Sequence, residues 1–270
     1  MTRLLHLTDL HFGSERADLV QPLHEAVTAA RPDLVVVSGD LTHRARAGQF
    51  RQAMAFLGGL GLPFVTLPGN HDIPLFNLPA RFLAPFGGWQ RHVDPDLSPM
   101  REAGAALIFC ANTADPWRWR GGRLRDDDLR RIFAGLKGRK GRKDGMIPIL
   151  ACHHPLKVPA GFRRDETHGV ETALPGLIRD GLQVVLTGHL HHWEIGLGIT
   201  EATPQPILMV QTGTALCDRP GERDHGFSVL DIEADTIAVN PWIAAEGTTA
   251  FRPATKRRFL RQGGLWHLAG

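Results

Sequence analysis

The stretch LQVVLTGHLHH, Leu182 to His192, runs from a β-branched apolar segment straight into a glycine and three histidines. An apolar run of this length, closed by a turn residue, reads as a strand buried on both faces, which places the histidines just past its carboxyl end. The same pattern recurs four times. LLHLTDLHFG ends in Asp9 and His11, DLVVVSGDLTH in Asp40, PFVTLPGNHD in Asn70, His71 and Asp72, and PILACHHPL in His153 and His154. Seven of the fourteen histidines (His11, His71, His153, His154, His189, His191 and His192) fall in these short clusters. Carboxyl ends of strands are where sites form in open α/β sheets.

Working outward, the runs AALIFC, PILMVQ and FSVLDI add further strands, and helical patterns fall at about Asp18 to Ala30, Ala47 to Gly58, Asp126 to Leu136 and Val170 to Arg179. Alternating strands and helices imply an α/β domain, and the closely spaced strands of the last third imply mixed sheets. No composition break precedes Ala244, so residues 1–243 read as one domain. Residues 244–270 read as a tail whose Phe251, Phe259, Leu265 and Trp266 could dock on the body or on another subunit.

With 270 residues, 43% hydrophobic and 22% charged, the chain has the composition of an ordinary globular protein without a membrane span. The opening MTRLLHLTDLHFG meets Asp9 too early for a signal-peptide apolar region, so a cytoplasmic location is expected. Three cysteines without a CxxC pair suggest neither a disulfide framework nor a thiolate zinc site. A net charge of +3 is too small to argue for a nucleic-acid partner. The basic runs KGRKGRK (Lys137 to Lys143) and KRRFLR (Lys256 to Arg261) read as solvated surface. There is no phosphate-binding GxxxxGK[ST], complete GxGxxG, HExxH or GxSxG.

Glycine precedes the polar residue at Gly39, Gly69 and Gly188, where a ligand presented from a strand end needs a tight turn and close backbone approach. Carboxylate, imidazole and amide ligands without thiolate suit Mn, Fe or Zn. The candidates outnumber what one ion takes, which suggests two metals about 3.5–4 Å apart sharing a carboxylate.

The ordered blocks DxH (Asp9 to His11), GD (Gly39–Asp40), GNHD (Gly69 to Asp72), HHP (His153 to Pro155) and GHxH (Gly188 to His191) resemble the calcineurin-like metallophosphoesterase superfamily. That resemblance implies a four-layer αββα sandwich with two mixed β-sheets. It also implies one divalent metal held by Asp9, His11, Asp40 and His191 and a second by Asp40, Asn70, His153 and His189, with Asp40 bridging. A hydroxide between the metals would be the nucleophile. His71, together with Asn70, would contact the scissile phosphate and help the leaving oxygen depart, with Asp72 orienting the His71 imidazole. Two divalent ions against only two carboxylates, Asp9 and Asp40, would leave a positive field for a phosphate oxyanion.

Neighbouring strand residues face opposite ways, so only one of His153 and His154 can reach the metals, and the family spacing favours His153. By default His154 and His192 lie behind the ligands or face solvent, and His43 contacts substrate or caps a helix; whether any of the three touches substrate is left open, and His6 inside the first strand reads as packed or surface-exposed rather than functional. Two long loops, Ile73 to Pro99 and the segment carrying Lys157, Arg163 and Arg164, are placed to govern substrate choice. Block spacing and size are most similar to the bacterial class III cyclic-nucleotide phosphodiesterase-like branch. The resemblance therefore implies hydrolysis of a small-molecule phosphodiester, a 3′,5′-cyclic nucleotide or a glycerophosphodiester. Alternatives on the same metals are phosphomonoesterase, pyrophosphohydrolase or nuclease activity. A noncatalytic binding protein would be expected to have lost ligands, and all seven are present.

Overall fold

The computed structural model describes residues 1–139, 145–158, 167–200 and 203–269. Its strands are β1 (Thr2–Leu7), β2 (Leu34–Ser38), β3 (Phe64–Leu67), β4 (Met100–Ala103), β5 (Ala106–Ala111), β6 (Ile147–Cys152) and β7 (Val184–Thr187). These are followed by β8 (Glu194–Thr200), β9 (Thr203–Gln211), β10 (His225–Glu233), β11 (Thr236–Ala244), β12 (Arg252–Pro253), β13 (Arg257–Gln262) and β14 (Leu265–Leu268). The helices are α1 (Ala17–Ala30), α2 (Ala47–Gly59), α3 (Leu78–Leu83), α4 (Gly87–His92), α5 (Asp126–Lys137) and α6 (Val170–Arg179).

Side chains alternate across a strand, and here both faces are apolar. In β2, Leu34 and Val36 face the space between two sheets while Val35 and Val37 face helices; in β5, Ala106, Ile108 and Cys110 face inward and Leu107, Phe109 and Ala111 outward. One sheet has the order β14-β13-β11-β10-β1-β2-β3, with β12 paired to β11; the other runs β4-β5-β6-β7-β9-β8. β1, β2 and β3 are mutually parallel, as are β5, β6, β7 and β9, whereas β10, β4 and β8 pair antiparallel with their neighbours. α1, α2 and α4 cover the outer face of the first sheet through Leu19, Leu23, Phe50 and Trp89. α5 and α6 cover the second through Ile132, Leu136, Leu174 and Leu177. The result is the expected helix–sheet–sheet–helix sandwich.

Two segments differ from a reading of periodicity alone. Within Ile73 to Pro99, expected as an extended loop, lie α3 and α4: Asn77 caps α3 by accepting from the Ala80 amide (3.1 Å), and Trp89 of α4 is fully buried against α2. In residues 244–270, β13 pairs with β11 and β14 with β13, and Phe259 and Trp266 enter the core between the sheets. The basic residues 140–143, Arg163 and Arg164 lie outside the described residues. Among the described residues no helix is long and apolar enough to cross a membrane.

Candidate metal centre

The carboxyl ends of β1, β2 and β3 in one sheet meet those of β6 and β7 in the other, and the five polar blocks follow directly from those ends. The side chains form one continuous cluster. Asp40 stands at its middle: Oδ2 lies 3.4 Å from His11 Nε2 and 3.3 Å from His153 Nε2, while Oδ1 accepts from the His71 amide at 2.8 Å. On one side Asp9 Oδ1 is 3.0 Å from His191 Nε2 and 3.4 Å from His11 Nε2. On the other, His153 Nε2 is 3.1 Å from Asn70 Oδ1 and 3.2 Å from His189 Nδ1. All seven side chains singled out in the sequence as ligands are thus brought together.

The backbone is strained to do this. Asp9, His11, Asp40, His189 and His191 all have positive φ, between 48° and 70°, a left-handed conformation that non-glycine residues adopt at a cost. Close approach does the rest: a Cβ on Gly69 would lie 2.2 Å from Asp40 Oδ1, and one on Gly188 would lie 1.9 Å from Thr8 Oγ1 and 2.6 Å from Asp9 Oδ2. Asp9 Oδ2 is in turn held by Thr8 Oγ1 (2.6 Å) and the His189 amide (2.9 Å). Below the cluster, His6, kept neutral by burial, bridges Ser38 Oγ (2.7 Å) and Thr212 Oγ1 (2.9 Å), tying the two sheets through polar contacts.

The donor atoms fit divalent cations. His11 Nδ1 and Nε2 and His189 Nε2 are buried without hydrogen-bond partners, a costly state for an imidazole that faces no ligand. Donor atoms of Asp9, Asp40 and His153 lie within 4.8 Å of one another, as do those of His153, His154 and His189. Burial opposes the charge on Asp9 and Asp40, but neighbouring histidines (His191 and His11 for Asp9, His153 and His71 for Asp40) hold both carboxyls well below the usual range. The reciprocal effect overcomes burial at His153 and His191, whose pKa values are pushed up to about 9. Protons therefore sit where cations would otherwise balance the carboxylates. Cys217 Sγ also lies near His11 and His191, but burial pushes its thiol pKa up, keeping it protonated.

Beyond the end of β6 strand alternation no longer separates His153 from His154: their rings lie 5.0 Å apart, edge to face, and a ring nitrogen of each lies within 4.8 Å of the other and of His189. His153 Nδ1 donates to the Ser38 carbonyl (2.9 Å), turning Nε2 to Asp40, whereas His154 Nδ1 meets Thr113 Oγ1 (2.9 Å) and its ring packs on His189. His192 is exposed. His43 stacks on His71, ring centroids 5.5 Å apart.

One expected contact is replaced. Asp72 does not orient the His71 imidazole: its oxygens accept from the amides of Leu41 (3.2 Å), Thr42 (2.9 Å) and Gly69 (3.0 Å), clamping the loop that carries Asp40. The His71 ring is set instead by its Nδ1–H donating to the His43 carbonyl at 2.9 Å, which leaves Nε2 to accept from Arg219 Nη2 at 2.9 Å. Burial, followed by proximity to Asp40, raises the Asp72 pKa to about 7.

Arg219 escapes a motif reading, and so does Glu222, whose Oε1 lies 2.5 Å from His191 Nδ1 and so aims Nε2 at Asp9. Both come from one turn, closed by Glu222 N to Arg219 O (3.0 Å), with Gly221 at φ 96°. The Pro-Gly pair at its centre was the available signal, marking a turn but not its destination.

The family model for calcineurin-like phosphoesterases matches residues 2–193. The chain is 28% identical over 255 residues, 86% of its length and 88% of the relative's, to a probable cyclic nucleotide phosphodiesterase of Synechococcus sp.. It is 37% identical over 82 residues to a glycerophosphodiester phosphodiesterase of Enterobacter lignolyticus, a match covering 26% of this chain and only 29% of that protein. Among solved structures, the purple acid phosphatase PPD1 of yellow lupin superposes with a TM-score of 0.66 at 14% identity, over 94% of this chain and 53% of that one. Vps29 of Cryptosporidium parvum gives 0.52 at 12%, over 96% and 98%. At these identities the structural likeness concerns the fold alone. The matched model spans every one of the five strand-end blocks, and the chain belongs to the calcineurin-like phosphoesterase family.

Proposed function

We propose that the protein is a phosphodiesterase with a dinuclear centre of Mn, Fe or Zn that hydrolyses a small-molecule phosphodiester, a 3′,5′-cyclic nucleotide or a glycerophosphodiester. The observation that carries this is Asp40, whose carboxylate lies between His11, on the Asp9–His191 side, and His153, on the Asn70–His189 side. Those seven side chains would hold the ions, which, when bound, supply Lewis acidity to a phosphate oxygen and to water. Asn70 and His71 would contact the scissile phosphate.

His71 works through one atom. Its Nδ1–H is committed to the His43 carbonyl, so only Nε2 can exchange a proton with substrate. Burial, the first of several influences, holds its pKa below the ordinary value, so the resting imidazole is neutral. An arriving phosphate anion raises it, so that Nε2 can give up its Arg219 contact, take a proton from solvent and donate that proton to the leaving oxygen. Asp72 positions the Asp40 loop. The unpaired, buried cysteines support a reducing, cytoplasmic setting.

The test is Asp40→Asn. Metal content by mass spectrometry should fall from two equivalents, and turnover of bis(p-nitrophenyl) phosphate should drop by at least about 10³-fold. Wild-type turnover by the variant, or a strong preference of the wild type for monoesters, overturns the reading.

A further inference from the structure

Next to Asn70 and His71 opens a cleft of about 620 Å³ lined by Arg44, Arg120, Arg219 and Trp119. The three arginines come from separate loops, after β2, after β5 and after β9. Among the described residues none of them has a carboxylate within 4 Å. A phosphodiester group carries one negative charge, and a pair of divalent cations against Asp9 and Asp40 already exceeds it. Three more unneutralised guanidiniums around one cleft match additional negative charge on the substrate.

Trp119 has the construction of a stacking platform. Arg81 is buried, and its Nε, Nη1 and Nη2 donate to the carbonyls of Pro116 (2.7 Å), Pro74 (3.1 Å) and Arg118 (3.1 Å). Its guanidinium then lies 4.4 Å from the Trp119 ring centroid, fixing the indole while half of that residue stays open to solvent. A rigid exposed indole beside arginines suits a planar base linked to phosphate. The volume is in the range of pockets that enclose a small ligand.

We infer that this cleft is a subsite for a nucleotide carrying a second phosphate besides the scissile one: the base stacks on Trp119 and the further phosphate is held by Arg44 and Arg120, with Arg219 beside His71. This rests on the phosphodiesterase reading and moves its substrate from the two candidates named above, neither of which carries a second phosphate, to a base-bearing phosphodiester with an additional terminal phosphate, such as a 5′-phosphorylated dinucleotide.

The test has two arms. Calorimetric binding of adenosine 3′,5′-bisphosphate and adenosine 5′-monophosphate to the metal-loaded wild type should favour the bisphosphate by at least about tenfold, the size of one charge-assisted contact. The Arg44→Gln/Arg120→Gln variant, with metal content and circular dichroism checked against wild type, should lose that preference. Trp119→Ala should weaken the bisphosphate roughly tenfold and Trp119→Phe restore it. In the second arm, the wild type should cleave pApA at least about tenfold more efficiently than ApA. Equal affinity for the two mononucleotides, or a preference that survives the double substitution, overturns the subsite. If the wild type cleaves bis(p-nitrophenyl) phosphate without distinguishing pApA from ApA, the subsite fails and the phosphodiesterase reading stands. If it cleaves no phosphodiester, that reading fails while the binding arm still decides the subsite.

Discussion

Replacing Glu222 by glutamine removes one charge from the contact that aims His191 while keeping the shape of the side chain. Two consequences oppose each other. Losing the anion behind a ligating imidazole typically weakens metal binding by about 10–100-fold. Yet Glu222 also contributes, after burial and Asp9, to the His191 pKa of about 9, so its loss lowers that pKa toward the ordinary value and eases the removal of the competing proton. In the wild type that removal costs about 1.4 kcal/mol for each pH unit below 9. Near pH 7 the two effects are of the same size and largely cancel; near pH 9 about half of the protein has already lost the proton, its removal costs little, and the loss dominates. Metal affinity of Glu222→Gln, measured by competition with a chelator dye, should therefore match wild type within a few-fold at pH 7 and fall about 10–100-fold behind it at pH 9. A penalty that is independent of pH, or largest at pH 7, would refute the claim that Glu222 acts through the His191 ring.

The metal-free protein should lose stability between pH 7 and 9, because His153 and His191 have folded pKa values near 9, above their unfolded ones, and the stability they contribute below the unfolded value disappears as pH rises through the folded value. The slope is at most about 2.7 kcal/mol per pH unit for two protons, and scanning fluorimetry in chelator should show Tm falling across this window; a flat profile excludes the protonated pair. Saturating divalent metal should remove the dependence, since the metal displaces both protons. Trp266→Ala, which empties a buried site between the sheets, should cost about 3–5 kcal/mol in urea unfolding. A loss under about 1 kcal/mol would mean that β13 and β14 are not part of the cooperative unit.

Local chemistry carried much of this protein into view. Runs such as Leu34 to Val37 are apolar at every position because both faces of their sheets are covered, and that alone separates a sandwich with outer helices from a half-exposed sheet. The seven clustered ligand candidates were readable because each follows its strand within a few residues, so strand order and chain order present them at one edge. What needed the tertiary structure is whatever depends on contacts between distant segments. Asp72 points to amides of the Asp40 loop rather than to the adjacent His71, a choice made by how β2 and β3 ends meet. From the sequence, Phe259 and Trp266 could dock on the body or on another subunit, and the pairing of β13 with the edge of β11 places them in the core of this chain. Arg219 and Glu222 belong to an Arg-Pro-Gly-Glu turn whose composition says only that the chain reverses. That one residue reaches His71 and the other His191 follows from where β9 and β10 place the turn, because periodicity records the faces of an element and not the position of its ends in space.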